Sequence, residues 1–239
     1  MTGAAGTSSD RVAVPALVDP APRRRQRRRA HETMPARDAE LLRVAAAMFQ
    51  ERGYATTAIS DIGSALGIKK GSVYHYIDSK EDLLYRICKS VHDDADEVVE
   101  ALEAMNGTAL DRLEFYVREM AASNARNVTK IAVYYSEFSR LTVARRADIE
   151  REQQRHELLV QSLIEEGKRA GLISIGVATN VMAANLLAQL VWLYTWFREG
   201  RGLEPEELGA AIAALALDGV ATRRAPKRRG ARRAAGSGP

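Results

Sequence analysis

The chain has 239 residues, 46% of them apolar and 28% charged, with a formal net charge of +4 at pH 7. This length permits one large or two small domains with a well-buried core. One cysteine, Cys88, excludes an internal disulfide or a cysteine metal cluster, and no apolar run approaches the roughly 20 residues of a membrane helix. The N-terminal residues also lack the charged-then-apolar pattern of a secretory signal, so we expect a cytoplasmic protein.

The positive charge is concentrated in the two terminal segments, whereas residues 91–221 are net acidic. Residues 1–33 contain the block Arg23-Arg24-Arg25-Gln26-Arg27-Arg28-Arg29, and residues 222–239 contain several Lys and Arg but no acid. Both segments are rich in Ala, Pro, Gly and Arg without helical periodicity, which predicts disordered basic arms. Such an arm either adds salt-sensitive affinity for a phosphate backbone or is simply solvated, and the sequence leaves both alternatives open.

The first predicted helix covers residues 36–52 and ends at Gly53. Its apolar residues recur with the helical period: Leu41, Leu42, Ala45, Met48 and Phe49. Gly53 follows directly, where glycine is favoured at the end of a helix. Arg37, near the start of this helix, is placed to reach a DNA phosphate, although a solvated arginine is the alternative.

Two short helices joined by a tight turn come next. Ile59, Ile62 and Leu66 form one apolar stripe on a helix predicted over residues 57–66, and Gly67 suits the left-handed conformation that ends it. The second helix, predicted over residues 71–76, turns polar residues outward. Ser79 then caps a longer helix that is predicted to extend to about residue 105. This pattern is typical of a helix-turn-helix, whose second helix enters the major groove of DNA.

The same stretch resembles the N-terminal domain of TetR-family transcriptional regulators. The matching motifs are Ala45-Ala46-Ala47-Met48-Phe49, Gly53-Tyr54, Thr56-Thr57, Asp61-Ile62, Leu66-Gly67-Ile68, Lys70-Gly71-Ser72, Tyr74-His75-Tyr76 and Ser79-Lys80-Glu81-Asp82-Leu83-Leu84. The resemblance implies a DNA-binding domain over residues 34–94. With Arg37, the predicted DNA contacts are Thr57, Lys69, Lys70, Gly71, Ser72, Tyr74, His75 and Lys80.

Residues 95–221 show only helical periodicity and no credible strand. Five more helices are predicted, over about 108–127, 129–141, 147–169, 178–199 and 204–220, with Thr108 and Thr129 as caps of the first two. The sequence therefore predicts an all-α protein of about nine helices. The resemblance implies an N-terminal three-helix helix-turn-helix domain followed by a C-terminal helical domain for ligand binding and dimerisation, over residues 95–221.

The last two predicted helices carry wide apolar faces with many small residues. Such faces on a terminal helix pair predict a four-helix interface between two copies, which is also what the resemblance implies. Ordinary packing into the core is the alternative. The predicted interface residues are Ala183, Leu187, Leu190, Val191, Leu208, Ala211, Ile212 and Leu215.

The middle helices carry most of the aromatic residues, and the resemblance implies a small-molecule pocket among them. A second, weaker resemblance, to TetR-family regulators of lipid or steroid breakdown, rests on Glu137-x2-Arg140-Leu141, Glu165-Glu166-Gly167 and Trp192-x3-Trp196-Phe197-Arg198. It implies an acyl-CoA effector whose phosphates need arginines, and a planar hydrophobic drug is the alternative. The predicted pocket residues are Tyr116, Met120, Tyr134, Tyr135, Phe138, Arg140, Arg155, Gln189, Trp192 and Trp196.

No catalytic signature is present in the sequence. Phosphate-binding glycine loops, HExxH, CxxC and nucleophile elbows are absent, and the four histidines are scattered along the chain. We therefore predict no enzyme activity, no metal and no cofactor. The prediction is a dimeric, effector-responsive repressor of a palindromic operator in the nucleoid. The alternatives are a ligand-independent architectural DNA-binding protein and an efflux regulator that responds to hydrophobic drugs.

Overall fold

The computed structural model describes residues 36–174 and 176–217, so the predicted basic arms lie outside the described residues. Within these ranges the chain forms nine α-helices, one 3₁₀ turn and no strand, which confirms the all-α prediction. The helices are α1 (Ala36–Arg52), α2 (Ile59–Ala65), α3 (Lys70–Val73), α4 (Lys80–Ala104), α5 (Ala109–Arg126), α6 (Val128–Glu137), α7 (Val143–Arg169), α8 (Thr179–Trp196) and α9 (Pro205–Leu217), and the 3₁₀ turn is Phe138–Arg140. Among the described helices, none is long and apolar enough to cross a membrane.

The first three helices and the start of α4 form a small head with its own apolar core. Its fully buried side chains are Leu41, Leu42, Phe49, Ile62, Val73, Ile77, Leu83 and Leu84. Gly67 has φ +67° at the turn after α2. Gly63 permits close packing of that turn, because a Cβ there would lie 3.0 Å from the Ile68 carbonyl oxygen and 3.2 Å from the Val73 side chain. The turn geometry therefore holds α2 and α3 close together.

Two predicted caps are present and one is not. The Ser79 hydroxyl accepts a hydrogen bond from the Asp82 amide at 2.9 Å, and the Thr108 hydroxyl accepts one from the Asp111 amide at 3.2 Å. Thr129 lies inside the first turn of α6 rather than capping it. The reason is that Asn127 alone separates α5 from α6, so α6 begins before the predicted position.

The remaining helices pack around α5, which contacts α4, α7, α8 and α9. The buried residues of this body include Leu102, Leu113, Tyr116, Val117, Ala121, Val160, Leu163, Ile164, Ala183, Leu190 and Leu193. Helix α4 runs without interruption through the predicted domain boundary at residues 94 and 95. One rigid element is therefore shared between the head and the body.

Candidate DNA-binding surface and effector region

The segment 70–77, which contains the short helix α3, exposes its polar residues because two apolar side chains pack into the head. Val73 and Ile77 are buried in the head, whereas Tyr74 is 45% exposed and His75 is also exposed. The Lys69 carbonyl accepts hydrogen bonds from the Ser72 amide at 2.8 Å and the Val73 amide at 3.4 Å, which closes the first turn. A helix of this length is not stable alone, so the burial of Val73 and Ile77 in the head is what stabilises it.

The outward surface of α3 and its flanks is basic and unpaired. Lys69, Lys70 and Gly71 are exposed and Ser72 is half-buried. Among the described residues, the ion pairs of the head involve Arg37, Arg86 and Arg145, and none involves Lys69 or Lys70. The structure thus brings six of the predicted contacts to one short stretch: Lys69, Lys70, Gly71, Ser72, Tyr74 and His75. This surface has the polarity and charge that phosphate and base edges require.

Three predicted contacts lie outside that stretch, and two are engaged within the head. Thr57 is only 1% exposed, and its hydroxyl donates to the Gly53 carbonyl at 2.9 Å, which argues against a side-chain contact with DNA. The Lys80 ammonium lies 4.4 Å from the centroid of the Tyr54 ring and donates to the Ala55 carbonyl at 3.3 Å. Partial burial lowers the pKa of Lys80. Arg37 is exposed, with Glu40 at 3.9 Å.

Several predicted pocket residues form a continuous chain of aromatic contacts from the surface of α8 into the body. Tyr135 stacks on Tyr194 with 5.7 Å between ring centroids, and Trp192 packs edge-on against Tyr194 at 6.2 Å. Tyr134 lies 4.7 Å from Tyr135 and 5.6 Å from Phe138. The aromatic prediction therefore identifies residues that touch one another, although each ring already packs against another ring.

The inner end of this aromatic chain is a buried polar cluster that the sequence analysis missed. The Tyr134 hydroxyl accepts from Gln153 at 2.7 Å and lies 3.1 Å from His92 Nε2. Tyr116 is almost fully buried, with its hydroxyl 3.4 Å from His156 Nδ1. The two imidazole centroids are 6.0 Å apart. A signal existed, because His156 continues the buried stripe of α7 formed by Ile149, Glu152, Val160 and Leu163.

Burial keeps both imidazoles of this cluster uncharged at neutral pH. Desolvation, followed by the neighbouring His156, lowers the pKa of His92 to about 3. Desolvation also lowers the pKa of His156, assisted by the Arg155 charge. Burial likewise raises the pKa of Tyr134 and Tyr116. The cluster therefore offers neutral hydrogen-bonding groups inside the body rather than fixed charges.

The two arginines among the predicted pocket residues, Arg140 and Arg155, are paired with carboxylates. Arg140 donates to Glu137 at 2.5 Å and lies 5.7 Å from the Tyr54 ring centroid, so it faces the head rather than a pocket. Arg155 contacts Asp96 and also lies 3.0 Å from Glu152. These pairs argue against a primary role in effector binding, because a ligand phosphate would have to displace a carboxylate. Met120 lies in the core, and Gln189 donates to Asn185 at 2.9 Å.

Trp196 borders a separate cleft at the end of α8. The cleft has a volume of ≈ 260 Å³ and is lined by Trp196, Phe197, Arg198, Arg201, Leu203 and Leu208. The Arg198 guanidinium caps the helix end, with a 2.7 Å hydrogen bond to the Phe197 carbonyl. Arg201 was not singled out by the sequence, since an arginine in a glycine-rich loop has no local pattern that marks it. This cleft combines aromatic surface with positive charge.

The predicted dimer residues divide between the core and the surface. Ala183, Leu190 and Leu208 are buried inside the protomer, which corrects their assignment to an interface, because they already pack against other helices. Leu187, Val191, Ala211 and Ile212 are partly buried, and Leu215 is 63% exposed. The most exposed apolar side chains of α8 were not predicted for this role: Val181, Trp192 and Trp196. These residues leave apolar side chains exposed on α8 and, at Leu215, on α9.

Two family models match the chain. The model described as bacterial regulatory proteins of the tetR family matches residues 41–87, and the model described as tetracyclin repressor-like, C-terminal domain, matches residues 106–220. The chain is 27% identical over 188 residues to the HTH-type transcriptional repressor KstR2 of Rhodococcus jostii, covering 78% of this chain and 92% of that protein.

Solved structures share the fold. PfmR of Thermus thermophilus, a TetR family transcriptional regulator, superposes with a TM-score of 0.68 at 26% identity, covering 74% of this chain and 96% of PfmR. AibR, solved in complex with isovaleryl coenzyme A and operator DNA, superposes with a TM-score of 0.67 at 24% identity, covering 76% of this chain and 98% of AibR. At that identity the likeness to AibR concerns the fold alone.

Proposed function

Since the chain belongs to the TetR family of bacterial transcriptional regulators, we propose that it binds a palindromic operator as a homodimer, represses adjacent genes and is released by a small apolar effector. The observation that carries the proposal is the outward surface of α3 and of the turn that follows it, where Lys70, Tyr74 and His75 are exposed while Val73 is buried. We assign DNA binding to residues 34–94 and effector binding with dimerisation to residues 95–221. The protein then acts on nucleoid DNA in the cytoplasm.

A second copy of the chain is needed because one α3 reaches only one half-site. Two half-sites about one helical turn apart, roughly 34–36 Å, require two recognition helices held at that spacing. The exposed apolar side chains of α8 and α9 support a dimer through these helices. Trp192 is 61% exposed, Trp196 53% and Leu215 63%, and burying apolar side chains of this kind favours association.

The proposed effector has an apolar part and an anionic part. The aromatic chain from Trp192 to Tyr134 supports an apolar ligand, and its polar inner end supports one with a hydrogen-bonding oxygen. The cleft beside Trp196 supports an anionic group through Arg201. Coenzyme A thioesters are the first class to test, because AibR was solved with isovaleryl coenzyme A. A planar hydrophobic drug is the alternative.

The operator is accessible by selecting genomic fragments that the purified protein retains. Replacing Tyr74 and His75 together by alanine is expected to reduce affinity for the selected operator by about 30-fold or more, since two base contacts are lost at about 1–3 kcal/mol each. Fluorescence anisotropy with a labelled duplex measures this loss. Arg169→Ala, at the end of α7, is the control. Unchanged binding of the double variant would show that α3 does not read the operator.

Release is tested on the same labelled complex with isovaleryl coenzyme A, longer acyl-CoA thioesters, free coenzyme A and a planar hydrophobic dye. We expect release by a thioester at concentrations where free coenzyme A has no effect. Release by the dye alone would favour the drug-responsive alternative. Equal affinity for palindromic and random DNA, with no release by any compound, would favour the architectural alternative.

The dimer face is tested by placing a charge on it. Trp192→Arg is expected to convert the dimer to a monomer, as measured by sedimentation velocity. It should also lower operator affinity about 100-fold or more, because two linked half-site contacts gain that much from avidity. Leu158→Arg is the matched control, since Leu158 is an equally exposed apolar residue on α7. A dimeric Trp192→Arg variant would place the interface elsewhere.

A further inference from the structure

A ladder of polar contacts joins α4 to α7. Its rungs, in order along both helices, are Asp82–Arg145, Tyr85–Asp148, Lys89–Glu152 and Asp96–Arg155. Because the residue numbers rise together, the two helices run parallel, and the contacts extend over roughly 21 Å of α4 and roughly 15 Å of α7. At one end, the Asp96–Arg155 contact lies beside His156 and the buried polar cluster. At the other end, the Asp82–Arg145 contact lies at the start of α4, which belongs to the head.

In the Asp82–Arg145 contact, Arg145 makes several bonds to the start of α4. One guanidinium nitrogen of Arg145 lies 2.5 Å from Glu81 Oε2, and the other lies 2.7 Å from Asp82 Oδ1. The same guanidinium lies 4.8 Å from the centroid of the Tyr85 ring, and the second Glu81 oxygen accepts from the Thr142 amide at 3.1 Å. Only the planar fork of arginine can hold two carboxylates in this way. The start of α7 is thus fixed to the first turn of α4.

The first turns of α4 are also fixed to the head, by Arg86. Arg86 donates to Asp38 of α1 at 2.8 Å. It also donates to the carbonyl of Tyr76, three residues after α3, at 2.5 Å. Arg86 lies about one helical turn beyond Glu81 and Asp82. Arg145 thus joins the start of α4 to the body, and Arg86 joins it to the rest of the head.

We propose that Arg145 is a positioning residue for DNA recognition. It holds the angle between the head and the body, although it lies 70 residues beyond His75 in the chain. In a dimer that angle sets the separation of the two copies of α3. The assignment of DNA reading to α3 rests on the proposed function, whereas the bonding of Arg145 to α4 does not. Ligand-induced displacement of α7 beside the buried cluster would reach the head through this contact.

The test measures the angle directly, without DNA or an effector. Nitroxide labels are placed at Ser64→Cys on α2 and Gln154→Cys on α7, both exposed, and the distance between them is measured by pulsed electron paramagnetic resonance. Labelled chains are diluted with unlabelled protein, so that only distances within one chain contribute. The native thiol does not interfere, because Cys88 is buried and burial raises its pKa to about 12.

We expect a narrow distance distribution in the labelled wild-type protein and one about twofold wider in Arg145→Met, because the head then samples several orientations. Arg145→Lys should be intermediate, since one ammonium cannot span both carboxylates. Arg151→Met is the control, because Arg151 pairs only along α7, with Asp148 at 2.8 Å. A merely structural role would lower the unfolding midpoint without widening the distribution.

An unchanged distribution in Arg145→Met would overturn the proposal. If that variant fails to fold, Glu81→Gln with Asp82→Asn removes the same contacts from the other side and is judged by the same distribution. Operator duplexes with one or two extra base pairs between half-sites give a second readout. The wild-type protein should prefer the native spacing, and Arg145→Met should lose part of that preference. Widening without any operator binding would sink the proposed function but would still show that Arg145 holds the head against the body.

Discussion

Lys69 and Lys70 of the head and four arginines of the body have opposite surroundings. In the described part of the chain, Lys69 and Lys70 flank the start of α3 without a carboxylate partner. In the body, by contrast, Arg112, Arg126, Arg145 and Arg155 each pair with an acid from another helix. The difference separates charges that await a ligand from charges that hold helices together.

An unpaired lysine on the surface costs little, because water solvates its ammonium, and it keeps its full charge for a phosphate. An arginine that bridges two helices is already desolvated and oriented, so a ligand must first displace its carboxylate. The exposure of a basic side chain and its pairing with an acid therefore indicate its role better than its residue type does. By this criterion, Lys69 and Lys70 of the head belong to an anion-binding surface. The paired arginines of α7 do not.

The largest expected effect is on the free cations of the head. Lys69→Ala with Lys70→Ala should lower affinity for operator and for random DNA alike, and should reduce the slope of log affinity against log salt by about two for each protomer, or about four for the dimer. The reason is that each neutralised phosphate releases about one counterion. Anisotropy titrations at several salt concentrations measure both quantities. Arg126→Ala is the control, since that side chain pairs with Glu206 at 2.7 Å. An unaltered slope would mean that the two lysines touch no phosphate.

A smaller effect is expected from breaking a pair in the body. Arg155→Met removes the contacts to Asp96 and Glu152, and Glu152 is buried, so we expect a loss of about 1–2 kcal/mol in the free energy of unfolding. Affinity for the operator should not change. Urea unfolding measures the loss, with the more exposed Arg151→Met as comparison. A fully stable variant that no longer responds to a thioester would instead make Arg155 an effector contact.

The last effect concerns acid. The pKa of His92 is about 3 in the folded protein and about 6.5 in an unfolded chain, so the unfolded state binds the proton first as the pH falls. The stabilisation is fully present above pH 6.5 and is lost progressively below it, by up to about 1.4 kcal/mol per pH unit. His92→Gln should flatten this dependence between pH 7.5 and 5, measured by urea unfolding. A wild-type stability that does not fall over this range would contradict the burial of a neutral imidazole.

The head was predictable because its determinants are local. The stripe of Ile59 and Ile62, the left-handed Gly67 and the Ser79 cap all act within a few residues of where they stand. Thr57 is the exception, because its hydroxyl is buried through contacts with Gly53 and with the end of α1. A side chain that fits a contact position by sequence is thus not always free to make the contact.

The body was less predictable because its contacts join distant parts of the chain. Glu81 and Arg145 are 64 residues apart in the chain, and no local spacing relates them. Helix α8 is apolar on all sides, so its sequence does not reveal that Ala183 and Leu190 face the core while Val181 and Trp192 face outward. Periodicity locates such a helix, but only packing shows which side is left for a second copy.

The chain contains two tryptophans, Trp192 and Trp196, and both are more than half exposed on α8. Its intrinsic tryptophan fluorescence therefore originates on one side of one helix, next to the aromatic chain and the cleft. The emission wavelength of the unlabelled protein should shift to the blue when this side becomes covered, and motions of the head alone should leave it unchanged. The protein thus carries its own spectroscopic reporter for assembly.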